Sequence, residues 1–137
     1  MDSRIKKYRF TSPLSLWRFT HSKNYPGLHL KAGAGAILEL RHVIELMSDS
    51  QWPSSIDIAL ADPLTIGAKW ITQVGEYAAF QTLKLHYQDS ADPLVTVDSN
   101  TSVQLTIGLS SKDDLLDMIE SGFDRSMKVG EEFITFW

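Results

Sequence analysis

The sequence predicts an α+β fold: an antiparallel or mixed β-sheet of about 7–9 strands with two helices packed on one face. Three observations predict it. Alternating apolar residues recur along most of the chain, and just two segments switch to a helical period. Short turn-rich connections join consecutive strands, which argues against a doubly wound parallel arrangement. No linker or low-complexity tract interrupts the pattern, so residues 1–137 read as a single domain.

Leu14 and Leu16, then Leu28 and Leu30, alternate on either side of Ser22 to Gly27, where Asn24, Pro26 and Gly27 supply turn chemistry. These two runs should form a hairpin. The period then changes: Ile37, Leu40, Val43, Ile44 and Met47 recur at steps of three and four, while Glu39, His42, Glu45 and Asp49 fall off that stripe. That is a helix with one buried face. Ile56, Ile58 and Leu60 return to period two, as do Leu83, Leu85 and Tyr87. Val95 and Val97 precede Asp98 to Thr101, and Val103, Leu105, Ile107 and Leu109 follow it, a connection short enough for a second hairpin.

The second helical stripe is Leu115, Leu116, Ile119 and Phe123, preceded by Ser110 or Ser111 as cap and with Asp113 and Asp114 in the first turn. Ile134 and Phe136 mark a final strand. Pro53, Pro63 and Pro93 fall between segments, where a residue without a ladder donor belongs. Leu28 to Leu60 and Val103 to Phe136 each run strand, helix, strand, a faint repeat with little residue identity behind it.

No window approaches the run of about 18 apolar residues that a spanning helix requires. The basic start lacks an apolar stretch behind it, because Ser12, Pro13, Ser15 and Arg18 interrupt it, so no secretory signal is expected and the expected location is cytoplasmic. Without Cys, thiolate catalysis, cysteine-held zinc and iron–sulfur clusters are excluded. His21, His29, His42 and His86 show no HxxxH or HxH spacing, and no G-x-S-x-G element occurs. No catalytic residue, metal ligand or cofactor is singled out. Gly33-Ala34-Gly35-Ala36 could present backbone amides to an anion, but Leu38 stands where a dinucleotide fingerprint needs its third Gly.

The formal charge of −4 conceals a division. Residues 1–31 carry Arg4, Lys6, Lys7, Arg9, Arg18, Lys23 and Lys31 against Asp2 alone, about +6, which leaves about −10 for the remainder. Either the two parts meet, within one fold or in a homo-oligomer, or the basic part meets an anionic ligand.

Two surfaces follow. On the second helix, Asp113, Asp117, Glu120 and Asp124 share one narrow stripe clear of the apolar one. Adjacent like charges there cost about 0.2–0.5 kcal/mol per pair, so the isolated helix does not benefit from the row, whereas a basic partner protein would be steered by it. On the first hairpin, strand pleating places Trp17, Phe19, His21, His29 and Lys31 opposite the Leu residues, with Arg18 on the Leu side. Rings interleaved with cations suit a nucleotide or another small anionic ligand, unless later chain covers them. The overall acidity disfavours nucleic acid.

The expectation is therefore a non-enzymatic protein-interaction module that uses the acidic stripe toward a basic protein. Its small, acidic, cysteine-free character is shared with immunity proteins by composition alone. The alternative is a small-ligand or nucleotide binder, or an enzyme, centred on the aromatic and basic face.

Overall fold

Period-two patterning becomes nine strands in the described residues, divided between two mixed sheets rather than gathered in one. The computed structural model describes residues 8–20, 23–49, 53–121 and 125–137. The class is α+β. In chain order the elements are β1 (Leu14–Phe19), β2 (Leu28–Ala32), α1 (Ala36–Asp49), β3 (Ser54–Ala59), a 3₁₀ turn (Pro63–Ile66), α2 (Ile71–Val74), β4 (Tyr77–Ala79) and β5 (Thr82–Tyr87). There follow β6 (Leu94–Val97), β7 (Ser102–Ile107), α3 (Lys112–Ser121), β8 (Arg125–Val129) and β9 (Glu132–Phe136).

The first sheet runs β4-β1-β2-β9-β8 and the second β3-β5-β7-β6. Both expected hairpins form, with Leu16 opposite Leu30 in β1–β2 and Val97 opposite Val103 in β6–β7. Each sheet turns an apolar face to the main core, and splitting them lets both of those faces bury there. Leu14, Leu16, Leu28, Leu30, Ile134 and Phe136 from the first sheet meet Ile58, Leu83, Leu85, Val103 and Leu105 from the second. Leu40, Val43, Ile44 and Met47 of α1 and Leu115, Leu116 and Ile119 of α3 complete it. Full burial of each such side chain is worth about 1.5–3 kcal/mol. The expected runs overreach at two ends: Leu60 lies just past β3, and Leu109 lies past Gly108 and is exposed. Phe123 lies outside the described residues.

The faint repeat is a real property of the topology. In the first sheet β1/β2 are antiparallel, β2/β9 parallel and β9/β8 antiparallel. In the second, β6/β7, β7/β5 and β5/β3 repeat that order of pairings. The chain therefore builds two strand–strand–helix–strand–strand units, β1-β2-α1-β3-β5 and β6-β7-α3-β8-β9, and each hairpin pairs with the last strand of the other unit. Leu28, Leu30, Gly33, Leu40 and Ile44 correspond to Val103, Leu105, Gly108, Leu115 and Ile119. The helices α1 and α3 lie antiparallel, since Arg41 near the start of α1 reaches Glu120 near the end of α3, and Lys112 reaches Ser48.

Gly33 and Gly108 end the parallel strands β2 and β7, and both are needed for close approach. A Cβ on Gly33 would lie 2.6 Å from Pro13 Cγ, and one on Gly108 would run into the Ala91 carbonyl oxygen. The units differ in the segment between β3 and β5, residues 60–81, which exists only in the first. It is fixed to β1 by Ala61 N–H to Leu14 O, Phe80 N–H to Leu16 O and the Ser15 hydroxyl to Ala61 O. Asp62 caps its 3₁₀ turn through Leu64 N–H at 2.9 Å, with Pro63 following in the first turn, and also accepts from the Tyr77 hydroxyl. No helix of the described residues is long and apolar enough to cross a membrane.

Candidate functional site

The added segment decides the fate of the aromatic face on β1 and β2. Trp17 pairs with His29 across the hairpin, as the alternation requires, but both are buried, at 0% and 1% exposure. Ala68, Trp70, Ile71 and Tyr77 from the added segment, together with Trp137 beyond β9, cover them. Phe19 is half-buried in the same cluster, and Lys31, also half-buried, lies at the rim of a cleft. His21 lies outside the described residues. Arg18, on the other side of the strand, sets its guanidinium 5.7 Å from the centre of the Phe80 ring.

His29 is the hub of this cluster. Its ring is stacked between Trp17 and Trp137, at centroid distances of 5.7 and 6.0 Å, with Phe19 edge-on at 5.0 Å. Its Nδ1 accepts from the Trp137 indole N–H at 3.0 Å and its Nε2 faces the Tyr25 carbonyl at 3.2 Å. These are the contacts of an interior ring. The Trp17 Nε1 group is buried with no hydrogen-bond partner among the described residues.

Arg4, Lys6 and Lys7 of the basic N-terminal part lie outside the described residues; Tyr8, Thr11 and Ser12, which follow them, join the fold through a carboxylate latch. Glu39 on α1 accepts from Thr11 N–H, Ser12 N–H at 2.7 Å and the Tyr8 hydroxyl at 2.7 Å. Burial opposes its ionised form, but the hydrogen bonds from Ser12, Tyr8 and Thr11 outweigh this and bring the carboxyl down to about 2. Burial, then the bond to Glu39 and its charge, push the Tyr8 hydroxyl up to about 12. Tyr8 and Phe10 pack on the Leu side of β1, against the main core. Gly33 to Ala36 is likewise a packing connection, in which Gly33 N–H donates to Pro13 O and Ala36 N–H to Gly33 O.

The acidic stripe is where the helical period puts it. Asp113, Asp117 and Glu120 are exposed on α3, as is Asp114; Asp124 lies outside the described residues. The Ser111 hydroxyl turns back to accept from Gly108 N–H at 3.1 Å, so it stabilises the turn into α3. Glu120 meets Arg41 at 2.8 Å. Burial first, then Asp89 and Asp113, raise the Tyr87 hydroxyl to about 12. Asp114, Asp117 and Glu120 border a depression between α3 and β8 that Met118 and Met127 also line, with Arg125 on its far side.

Among the described residues, no group of three or more His, Asp or Glu side chains is arranged to hold a metal ion. The residues that sequence reasoning missed are Trp70, Trp137, Arg41 and Met127. Trp137 was signalled by its alternation with Phe136, which puts it on the Trp17 face. Trp70 lies in a stretch without periodicity, and Arg41 and Met127 become relevant only when α1 and β8 pack beside α3. Set against protein-family models, curated proteins and solved structures, the chain matches none of them.

Proposed function

We propose that this protein is a non-enzymatic interaction module whose acidic α3 surface receives a basic protein. The observation that carries the reading is the depression between α3 and β8: exposed Asp114 and Asp117, with Glu120 beside its partner Arg41, line it together with the half-buried Met118 and Met127, and Arg125 stands on the β8 side. A Lys or Arg side chain fits that chemistry, because its alkyl stem packs on soft apolar atoms while its charge stays among carboxylates. Asp113 and Asp89 extend the acidic field beyond the depression, which favours rapid encounter with a cationic surface. Trp17 and His29, which anchor the competing ligand reading, act as interior residues instead.

The test is affinity capture from cells that encode the protein, comparing the wild type with a variant carrying Asp113→Asn, Asp117→Asn and Glu120→Gln. A basic partner held by the wild type, weakened by added salt and lost from the variant, supports the reading. Recovery of the same partners at unchanged affinity overturns it.

A further inference from the structure

The strands β2 and β9 are a parallel pair that end side by side, with Trp137 N–H continuing their ladder to Leu30 O at 2.9 Å. Lys31 and Trp137 thereby come together at the carboxyl ends of the strands. Trp70 of the segment between β3 and β5 and Ile37 and Ile119 of the two helices reach the same place. The result is a cleft of about 380 Å³ whose walls include Trp70, Trp137, Ile37 and Ile119, with Lys31 and Ser121 at its polar edge. That volume falls in the range of small-molecule sites, which are mainly apolar with a few polar groups.

We propose that this cleft binds a small planar monocarboxylate, with the two indole rings against its flat body and the Lys31 ammonium on its carboxylate. The Trp70 and Trp137 rings lie 4.4 Å apart, tilted by 51°, and both are half-buried, so part of each ring remains available to a guest. Lys31 has no carboxylate within ion-pair distance among the described residues. Glu120 also borders the cleft, but its charge is engaged by Arg41. A lone ammonium matches one negative charge, whereas a di- or triphosphate would leave several unpaired.

The two-unit architecture puts different residues at the corresponding strand ends. In the second unit the places of Lys31 and Trp137 are taken by Thr106 and His86. There the loop after β5 crowds the strand ends, with the Gln88 carbonyl oxygen 2.8 Å from where a Gly108 Cβ would sit. The second unit thus has neither an ammonium nor an indole at these places. This site is separate from the acidic depression and stands without it.

The test is titration of the ¹⁵N-labelled protein with 2-naphthoate, its neutral carboxamide and the cation 2-naphthylmethylamine. The expected result is saturable displacement of the Trp70 and Trp137 indole resonances by 2-naphthoate, with Thr96 and Gln104 on the second sheet unmoved. The carboxamide should bind about tenfold more weakly and the amine more weakly still. Lys31→Met should weaken 2-naphthoate by the same factor and leave the carboxamide unchanged. Absence of saturable shifts into the millimolar range, or equal binding of the three probes, overturns the proposal. The probe series on the wild type decides the matter even if the variant fails to fold.

Discussion

The Trp137 indole N–H donates to Nδ1 of His29 across 3.0 Å, joining the residue after β9 to the middle of β2. Because an indole can only donate, Nδ1 must be the unprotonated nitrogen, and the ring proton sits on Nε2 toward the Tyr25 carbonyl. Trp137→Phe keeps an aromatic ring but removes the indole N–H bond to His29, at a cost of about 1–2 kcal/mol. Trp137→Ala also removes the stacked surface and should cost about 2–4 kcal/mol. Urea unfolding reads both as shifts of midpoint at constant slope. A Phe variant as stable as the wild type would show that the hydrogen bond contributes nothing net.

The Glu39 latch gives stability an acid limb. The carboxyl moves from an ordinary 4.5 to about 2 on folding, so its contribution is present above about 4.5 and is lost as the pH falls through about 2. Glu39→Gln should cost about 1–2 kcal/mol at neutral pH, and the difference from wild type should shrink across that window. Thermal melts from pH 7 to 2 check this. A difference that stays constant with pH would assign the loss to packing rather than charge.

Gly33→Ala and Gly108→Ala should both destabilise, by about 1–3 kcal/mol or more. The new methyl meets the Pro13 ring most closely and its carbonyl oxygen at 3.0 Å in one case, and three backbone carbonyls, two of them nearer than that, in the other; backbone yields less than a ring edge. Gly108→Ala should therefore be the worse of the two in chemical denaturation. The reverse order would mean that the loop after β5 moves more easily than the arm before β1.

The Arg41–Glu120 pair, at 40% and 60% side-chain exposure, should contribute little. Arg41→Met is expected to change stability by less than about 1 kcal/mol, and less still in 0.5 M salt. The same small effect is expected for Glu120→Gln, and a thermal melt of the charge-neutralised variant separates loss of a partner from unfolding. A large drop in melting temperature for either would contradict this.

Much of the fold is legible in the residues because alternation and helical period are local. Leu14 to Leu30 carry one hairpin and Val95 to Ile107 another, while the stripes of α1 and α3 follow from spacing alone. The strands β4 and β8 escape notice: Tyr77–Ala79 is too short to alternate, and Arg125–Val129 is an edge strand with exposed side chains. Within the candidate site, the exposure of Asp113, Asp117 and Glu120 is readable from the helix period. The Met floor is not, because Met118 and Met127 meet only through packing of α3 beside β8.

By itself the sequence determined the α+β class, both main helices, both hairpins and the side of each strand on which Trp17, His29 and Lys31 lie. A period-two pattern states that two faces differ; it does not state what lies over either. Only the tertiary structure decided that residues 60–81 and Trp137 cover Trp17 and His29, leave Lys31 at the rim of a cleft, and interlock the two units. Those outcomes depend on contacts between residues far apart in the chain, such as Trp137 with His29 and Arg41 with Glu120, and no local spacing encodes them.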